Sequence, residues 1–219
     1  ATGSLAGADS KNATKGEAPV DERSSAASAQ VEAAERSRIQ DYDYLMKHYF
    51  SVHASTTAER SLMTADTLLK TDLKLEKHPD EPQILIYHTH ASETYADYGP
   101  EHPDATVAGA GAYLAQLLSE RGWNVIHDTT AYDQKEGKLE RSRAYTYALE
   151  GIQGILQEHP GIEVILDVHR DGVADSVRLV QKVLGKTAAR IMFFQGMSRT
   201  PEGEIAYLPN PYLKENLAF

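Results

Sequence analysis

Cysteine is wholly absent from the 219 residues. Its absence excludes disulfides, thiolate zinc sites and cysteine nucleophiles together. Any metal must then be held by histidine and carboxylate, ligands that suit zinc. Positive charge is also scarce: 22 Lys and Arg stand against 32 Asp and Glu, a formal net charge of -10. With no basic stripe to neutralise phosphates, a nucleic-acid partner is not expected. No Gly-x-Gly-x-x-Gly follows a strand and no phosphate loop occurs, so nucleotide binding has no support. No apolar stretch approaches the roughly 20 residues that span a bilayer. The chain opens on Ala1 and not on Met, and a signal or membrane anchor is expected upstream of it. The first stretch lacks aromatics and any sustained hydrophobic period. It cannot bury enough surface to offset chain entropy, and residues 1–38 read as a disordered linker.

What is present begins at Ile39, where Tyr42, Tyr44, Leu45, Met46, Tyr49 and Phe50 fall close together. Residues 39–82 read as a lead-in segment that packs on the domain, with a short helix capped near Thr64 and Asp66. The domain proper, 83–219, opens on Ile84-Leu85-Ile86-Tyr87, an apolar run that stops in His88-Thr-His90-Ala-Ser-Glu93. A helical period follows through Val107, Ala110, Tyr113, Leu114, Leu117 and Leu118, ended by Gly122, and then the strand Trp123–Asp128. Lys138 to His159 repeats the helical logic through Tyr145, Ala148, Leu149, Ile152, Ile155 and Leu156. The strand Ile162–Val168 comes next and runs into His169-Arg170-Asp171. This β-α-β-α-β order predicts an α/β fold, an open and mainly parallel sheet flanked by helices with right-handed crossovers. Val177–Val183 and Ala189–Phe194 predict two further strands, the first amphipathic and the second buried. At Asn210–Phe219 an apolar spacing has only begun to repeat, so a C-terminal truncation of the domain is expected.

In an open α/β sheet, ligands sit outside the carboxyl ends of the strands. Two strands that end in histidine therefore suggest one shared site. His90-x-x-Glu93 puts an imidazole and a carboxylate within reach of one ion, and His169 would come from the neighbouring strand end. Two histidines, one glutamate and an open fourth position is the arrangement of hydrolytic zinc sites. The plainer reading stands beside it: Glu93 caps a turn and His90 is a hydrogen-bonded loop histidine. His88 alternates to the other face from Tyr87 and Thr89, which places it at the site wall or behind the ligands. Asp167 either orients His169 or simply ends its strand. Arg170 and Asp171 either bind a substrate carboxylate or pair with each other. His127 reads as structural, Tyr145 as helix packing and Tyr147 as surface.

At these residues the chain resembles the stage II sporulation protein P family, whose core shares the fold of zinc-dependent N-acetylmuramoyl-L-alanine amidases. The resemblance runs from Tyr42 to Phe219 and is carried by Ile84–Tyr95, Val125–Thr130, Ile165–Gly172, Ala189–Gly196 and Lys214–Ala218. It implies a membrane-anchored peptidoglycan hydrolase that removes stem peptides from glycan strands, with endopeptidase action on cross-links, during engulfment of the forespore. By motif match it gives His90, Glu93 and His169 the zinc-ligand roles. It implies other engulfment proteins of the sporulation septum as partners and an extracytoplasmic location. The catalytic glutamate of related amidases would lie beyond Phe219, and neither Glu202 nor Glu204 follows an apolar strand that could supply it. Two other functions fit the residues: a zinc carboxypeptidase, which would need a cation for the substrate's terminal carboxylate, and an inactive wall-binding scaffold.

Overall fold

The structure is a computed structural model that describes residues 22–219 apart from Pro100 and Pro103, with side chains from Gln30 onward. Residues 1–21 of the stretch read as a linker lie outside the described residues. The remainder of that stretch is a helix, α1 (Glu22–Arg38). Alanine, glutamate and arginine favour helix without any apolar stripe, and none of the side chains described in α1, from Gln30 to Arg38, is buried. Among the described residues no helix is long and apolar enough to cross a membrane.

The chain falls into two compact units. One joins the described residues up to Leu73 with Phe193–Phe219. It contains α2 (Tyr42–Tyr49), capped by Asp41, and α3 (Ala65–Lys70), capped by the Thr64 side chain as the sequence predicts. The C-terminal α6 (Leu213–Ala218) packs on α3. Leu45, Met63, Ala65 and Leu217 are its buried apolar side chains.

The second unit, Lys74–Met192, holds the sheet. Strand β1 (Ile84–Tyr87) lies between β2 (Val125–His127) and β5 (Val164–Asp167), parallel to both. Ile84, Leu85 and Ile86 are buried, the continuous apolar pattern of a strand covered on both faces. Helix α4 (Val107–Glu120) crosses from β1 to β2 and packs on both. Its start is set by Thr106, whose side chain accepts the Gly109 N–H. Having gone from β1 to one neighbour, the chain returns to β5 on the other side. That reversal makes the carboxyl ends of β1 and β5 the place where a crevice opens.

Two expectations are corrected. The helix expected from Lys138 begins later, as α5 (Ala144–Glu158) behind a 3-10 turn at Arg141–Arg143. The residues before it form a hairpin, β3 (Gln134–Lys135) with β4 (Lys138–Leu139). Glu136 and Gly137 both have positive φ, 51° and 76°, the two-residue turn that matches strand twist. Likewise, β6 (Val180–Val183) and β7 (Lys186–Ala189) close on each other around Leu184 and Gly185. That register uses up the second strand at Ala189. The apolar run beyond it, expected to be a buried strand, has no sheet to join: Ile191 and Phe194 are 82% and 86% exposed. A last short hairpin, β8 (Arg199–Thr200) with β9 (Gly203–Glu204), precedes α6.

Candidate metal and active site

Past the carboxyl ends of β1 and β5, His90 and Glu93 both stand beside His169. The His90-to-Glu93 stretch is a turn closed by the Glu93 N–H donating to the His90 carbonyl at 3.0 Å. The Glu93 carbonyl then accepts the Val107 N–H at 3.0 Å, tying the turn to the start of α4. A second tie comes from Asp133, fully buried, whose Oδ2 accepts both the N–H and the hydroxyl of Ser92. Residues between the two expected ligands are thus fixed by groups distant in sequence.

The imidazoles of His90 and His169 stand edge to face, 5.5 Å between centroids. His90 Nδ1 is buried and has no hydrogen-bond partner. A buried polar atom without a partner is rare and calls for an explanation. His169 is held the other way round. Its Nε2 donates to Asp167 Oδ2 at 2.8 Å, and its Nδ1 faces Glu93 Oε2 at 3.9 Å. Asp167 is fixed in turn by Thr89, whose N–H and hydroxyl reach its two oxygens at 2.9 and 2.5 Å. Burial pushes the Asp167 carboxyl up, but hydrogen bonds from His169 and Thr89 outweigh it and hold the group below its ordinary value. The same bond from Asp167 raises the His169 imidazole against the pull of burial. Burial first, and the Asp167 charge second, push the nearby Tyr87 phenol up to about 12, so it is a hydroxyl donor at neutral pH.

Among the described residues no group of three or more His, Cys, Asp or Glu side chains is spaced so that it could hold a metal ion as it stands. The donor chemistry nonetheless fits zinc. With Nε2–H given to Asp167, neutral His169 carries its lone pair on Nδ1, the atom turned toward Glu93. A histidine whose second nitrogen is anchored on a carboxylate is the usual support of a metal ligand. His90 offers the partnerless Nδ1, and Glu93, only 11% exposed, offers Oε2. Its other oxygen, Oε1, accepts from Arg141 Nη2 at 2.9 Å, while the Arg170 N–H reaches Oε2 at 3.1 Å.

The other residues singled out in the sequence fall into place differently. His88 is fully buried. Its Nδ1 donates to the Val168 carbonyl at 2.9 Å, so its Nε2 accepts from His127 Nε2 at 2.9 Å. A Cβ on Gly111 of α4 would come within 2.6 Å of the His88 ring. His88 therefore ties the ends of the three strands together with α4 packed closely over its ring, and its ring partners are none of the expected ligands. The Arg170 guanidinium donates to the Asp171 main-chain carbonyl at 3.3 Å, and it is the Arg170 backbone that serves Glu93. Burial, then the neighbouring His88, lower the His127 imidazole.

Arg141 and Tyr145 were not foreseen at the site. Tyr145 stands edge-on to His90 at 5.4 Å and stacked on His169 at 6.4 Å, with 63% of the residue exposed. Both come from the first turn of α5 and the 3-10 turn before it, where nothing in the local pattern marks them. Thr89 escaped notice because a strand-end threonine is ordinary; its role appears only across the β1–β5 pair.

Comparison with known proteins gives a family. No solved structure matches this chain. A curated relative, "Stage II sporulation protein P" of Bacillus subtilis (strain 168), is 27% identical over 129 residues, which covers 53% of this chain and 31% of the relative. The match thus spans about a third of that relative's length. The family model described as Stage II sporulation protein P (SpoIIP) matches residues 4–219, nearly the whole sequence. The chain belongs to the SpoIIP family of sporulation proteins.

Proposed function

We propose that this chain carries the zinc site of a peptidoglycan hydrolase, an N-acetylmuramoyl-L-alanine amidase with endopeptidase action on cross-links, working during engulfment in endospore formation. The observation that supports it most is the partnerless, buried His90 Nδ1 on a ring that, like Glu93, stands beside an Asp167-anchored His169. Bound by these three, zinc would supply a Lewis acid that polarises the scissile carbonyl and acidifies a water. The chain's own groups do the rest of the placing. Thr89 and Asp167 fix the His169 tautomer, and the Arg170 N–H and Arg141 hold the Glu93 carboxylate. Family membership supports the sporulation setting. On this reading the partners are peptidoglycan and other engulfment proteins of the septum, and the protein works outside the cytoplasm on a membrane anchor. The acid–base carboxylate is not assigned to a residue of this chain.

A second reading, zinc carboxypeptidase, draws on the Arg141 guanidinium beside Glu93, a cation able to hold a terminal carboxylate. Metal analysis of the purified chain, with digestion of muropeptides by the full-length protein, tests both. One zinc per chain and release of stem peptides from muramic acid are expected for the amidase. Cleavage that requires a free C-terminus would replace it by the carboxypeptidase. A folded chain that takes up no zinc would overturn both and leave the wall-binding scaffold.

A further inference from the structure

We propose that Arg141 receives the stem-peptide carboxylate one residue beyond the bond that is cut, which makes it the residue by which this site prefers acidic over amidated stem peptides. The proposal rests on the muropeptide reading of the site.

Arg141 belongs to the 3-10 turn that opens α5. Its Nη2 donates to Glu93 Oε1 at 2.9 Å, and 49% of its side chain is exposed. The oxygen it uses is the one not turned to His169; Oε2 is the one that faces His169 Nδ1 at 3.9 Å. Glu93 can therefore keep Oε2 for the histidine side while Oε1 anchors the guanidinium at the rim. A guanidinium carries five N–H donors in a rigid plane, and the bond to Glu93 engages one of its nitrogens. The half-exposed remainder is an oriented fork, and its natural partner is a planar two-oxygen anion.

Two surroundings point the same way. Tyr145, four residues along, lies against both His90 and His169 with most of its ring in solvent, so the wall beside Arg141 is open to a ligand. The chain as a whole carries a formal charge of -10, and such a surface repels an acidic substrate unless a placed cation receives it. The Arg170 guanidinium is bonded to the neighbouring Asp171 carbonyl, whereas that of Arg141 is fixed to Glu93 itself. The competing role for Arg141 is simple charge compensation of Glu93, and the two roles predict different behaviour.

The test is calorimetric titration of the zinc-supplemented chain with two probes. They are N-acetylmuramyl-L-alanyl-D-glutamate, whose α-carboxylate lies one residue beyond the muramoyl–L-alanine amide, and its α-amide, N-acetylmuramyl-L-alanyl-D-isoglutamine, which keeps the γ-carboxylate and lacks only the α one. A charge-assisted, two-oxygen contact should make the acid bind about tenfold or more tighter than the amide. Arg141→Gln should bind both probes alike, at the level of the amide. Arg141→Lys, which keeps the charge but not the fork, should recover part of the preference. A preference that survives in Arg141→Gln, or a parent chain that binds the probes equally, would overturn the proposal. So would loss of zinc together with both probes in Arg141→Gln, since Arg141 would then act only through Glu93. A parent chain that takes up zinc and binds neither probe would overturn the muropeptide reading itself, and the role of Arg141 with it.

Discussion

His169 is held by Asp167 through one ring nitrogen and turned toward Glu93 by the other, and protons and zinc compete for it in opposite pH directions. Its folded value lies above the ordinary 6.5. The pair's contribution to stability is therefore complete below that ordinary value and is lost as pH rises through the raised one. Asp167 is shifted down from 3.8, so its contribution is complete above 3.8 and is lost as pH falls through the lowered value. Without metal, thermal stability from this pair should be greatest between the two ordinary values and decline on either side. Zinc needs His169 neutral, so zinc affinity should instead climb as pH rises through the raised value. Melting curves across pH, with and without zinc, read both slopes; a metal-free chain whose stability grows steadily from neutral to alkaline pH would contradict the assignment. Asp167→Asn removes the anchor while keeping the shape, and roughly 10- to 100-fold weaker zinc binding is expected, measured by competition with a chromophoric chelator. The three expected ligands were legible because each sits at or just past an apolar strand end. Arg141, Tyr145 and Asp133 were not, because what places them is tertiary. Asp133 reaches Ser92 across 41 residues and Arg141 reaches Glu93 across 48.

At the scale of elements, the parallel core was readable from β1, β2, β5 and the helices between them, since period and length agree there. The helix faces were read less well. In α4 the expected stripe began rightly at Val107, which is buried, but it also took in Tyr113, which is exposed, and left out Gly111, which is buried. The helix approaches so closely that only hydrogen fits over the His88–His127 pair. Gly111→Ala should thus destabilise by about 1–3 kcal/mol through overpacking, seen as a drop in Tm of several degrees. A stability within error of the parent would mean the pair can give way. In α5 the buried residues are Ala144, Ala148 and Ile152, a stripe four residues apart. Tyr145 lies one position off that stripe, and this small rotation moves it from expected core to the site. The hairpins were read unevenly: two strands joined through Leu184-Gly185 were expected, with the second placed too late, whereas Glu136-Gly137 passed unnoticed just before the expected helix because its strands are two residues each. Local turn chemistry prevailed in both.

At the scale of the whole molecule, the parallel sheet has three strands among the described residues, with β5 at one edge. Ile165 on that strand is half exposed, and Ile191, Met192, Phe193 and Phe194 are largely exposed in the stretch after β7. Large apolar side chains this exposed favour self-association. The double variant Ile191→Ser/Phe194→Ser should reduce association in light scattering at raised concentration. Because both side chains are in solvent, its Tm should stay close to the parent's, within the roughly 0.5 kcal/mol usual for surface changes. A large loss of stability would show that these residues are packed. The most direct test of the account is zinc stoichiometry and affinity, measured by competition titration, in the parent chain and in His90→Ala, His169→Ala, Glu93→Gln and His88→Ala. The account predicts one zinc per chain, loss of binding in His90→Ala and His169→Ala, weaker binding in Glu93→Gln, and retained binding in His88→Ala wherever that variant folds. A parent chain without zinc, or binding that survives His90→Ala and disappears in a folded His88→Ala, would contradict it.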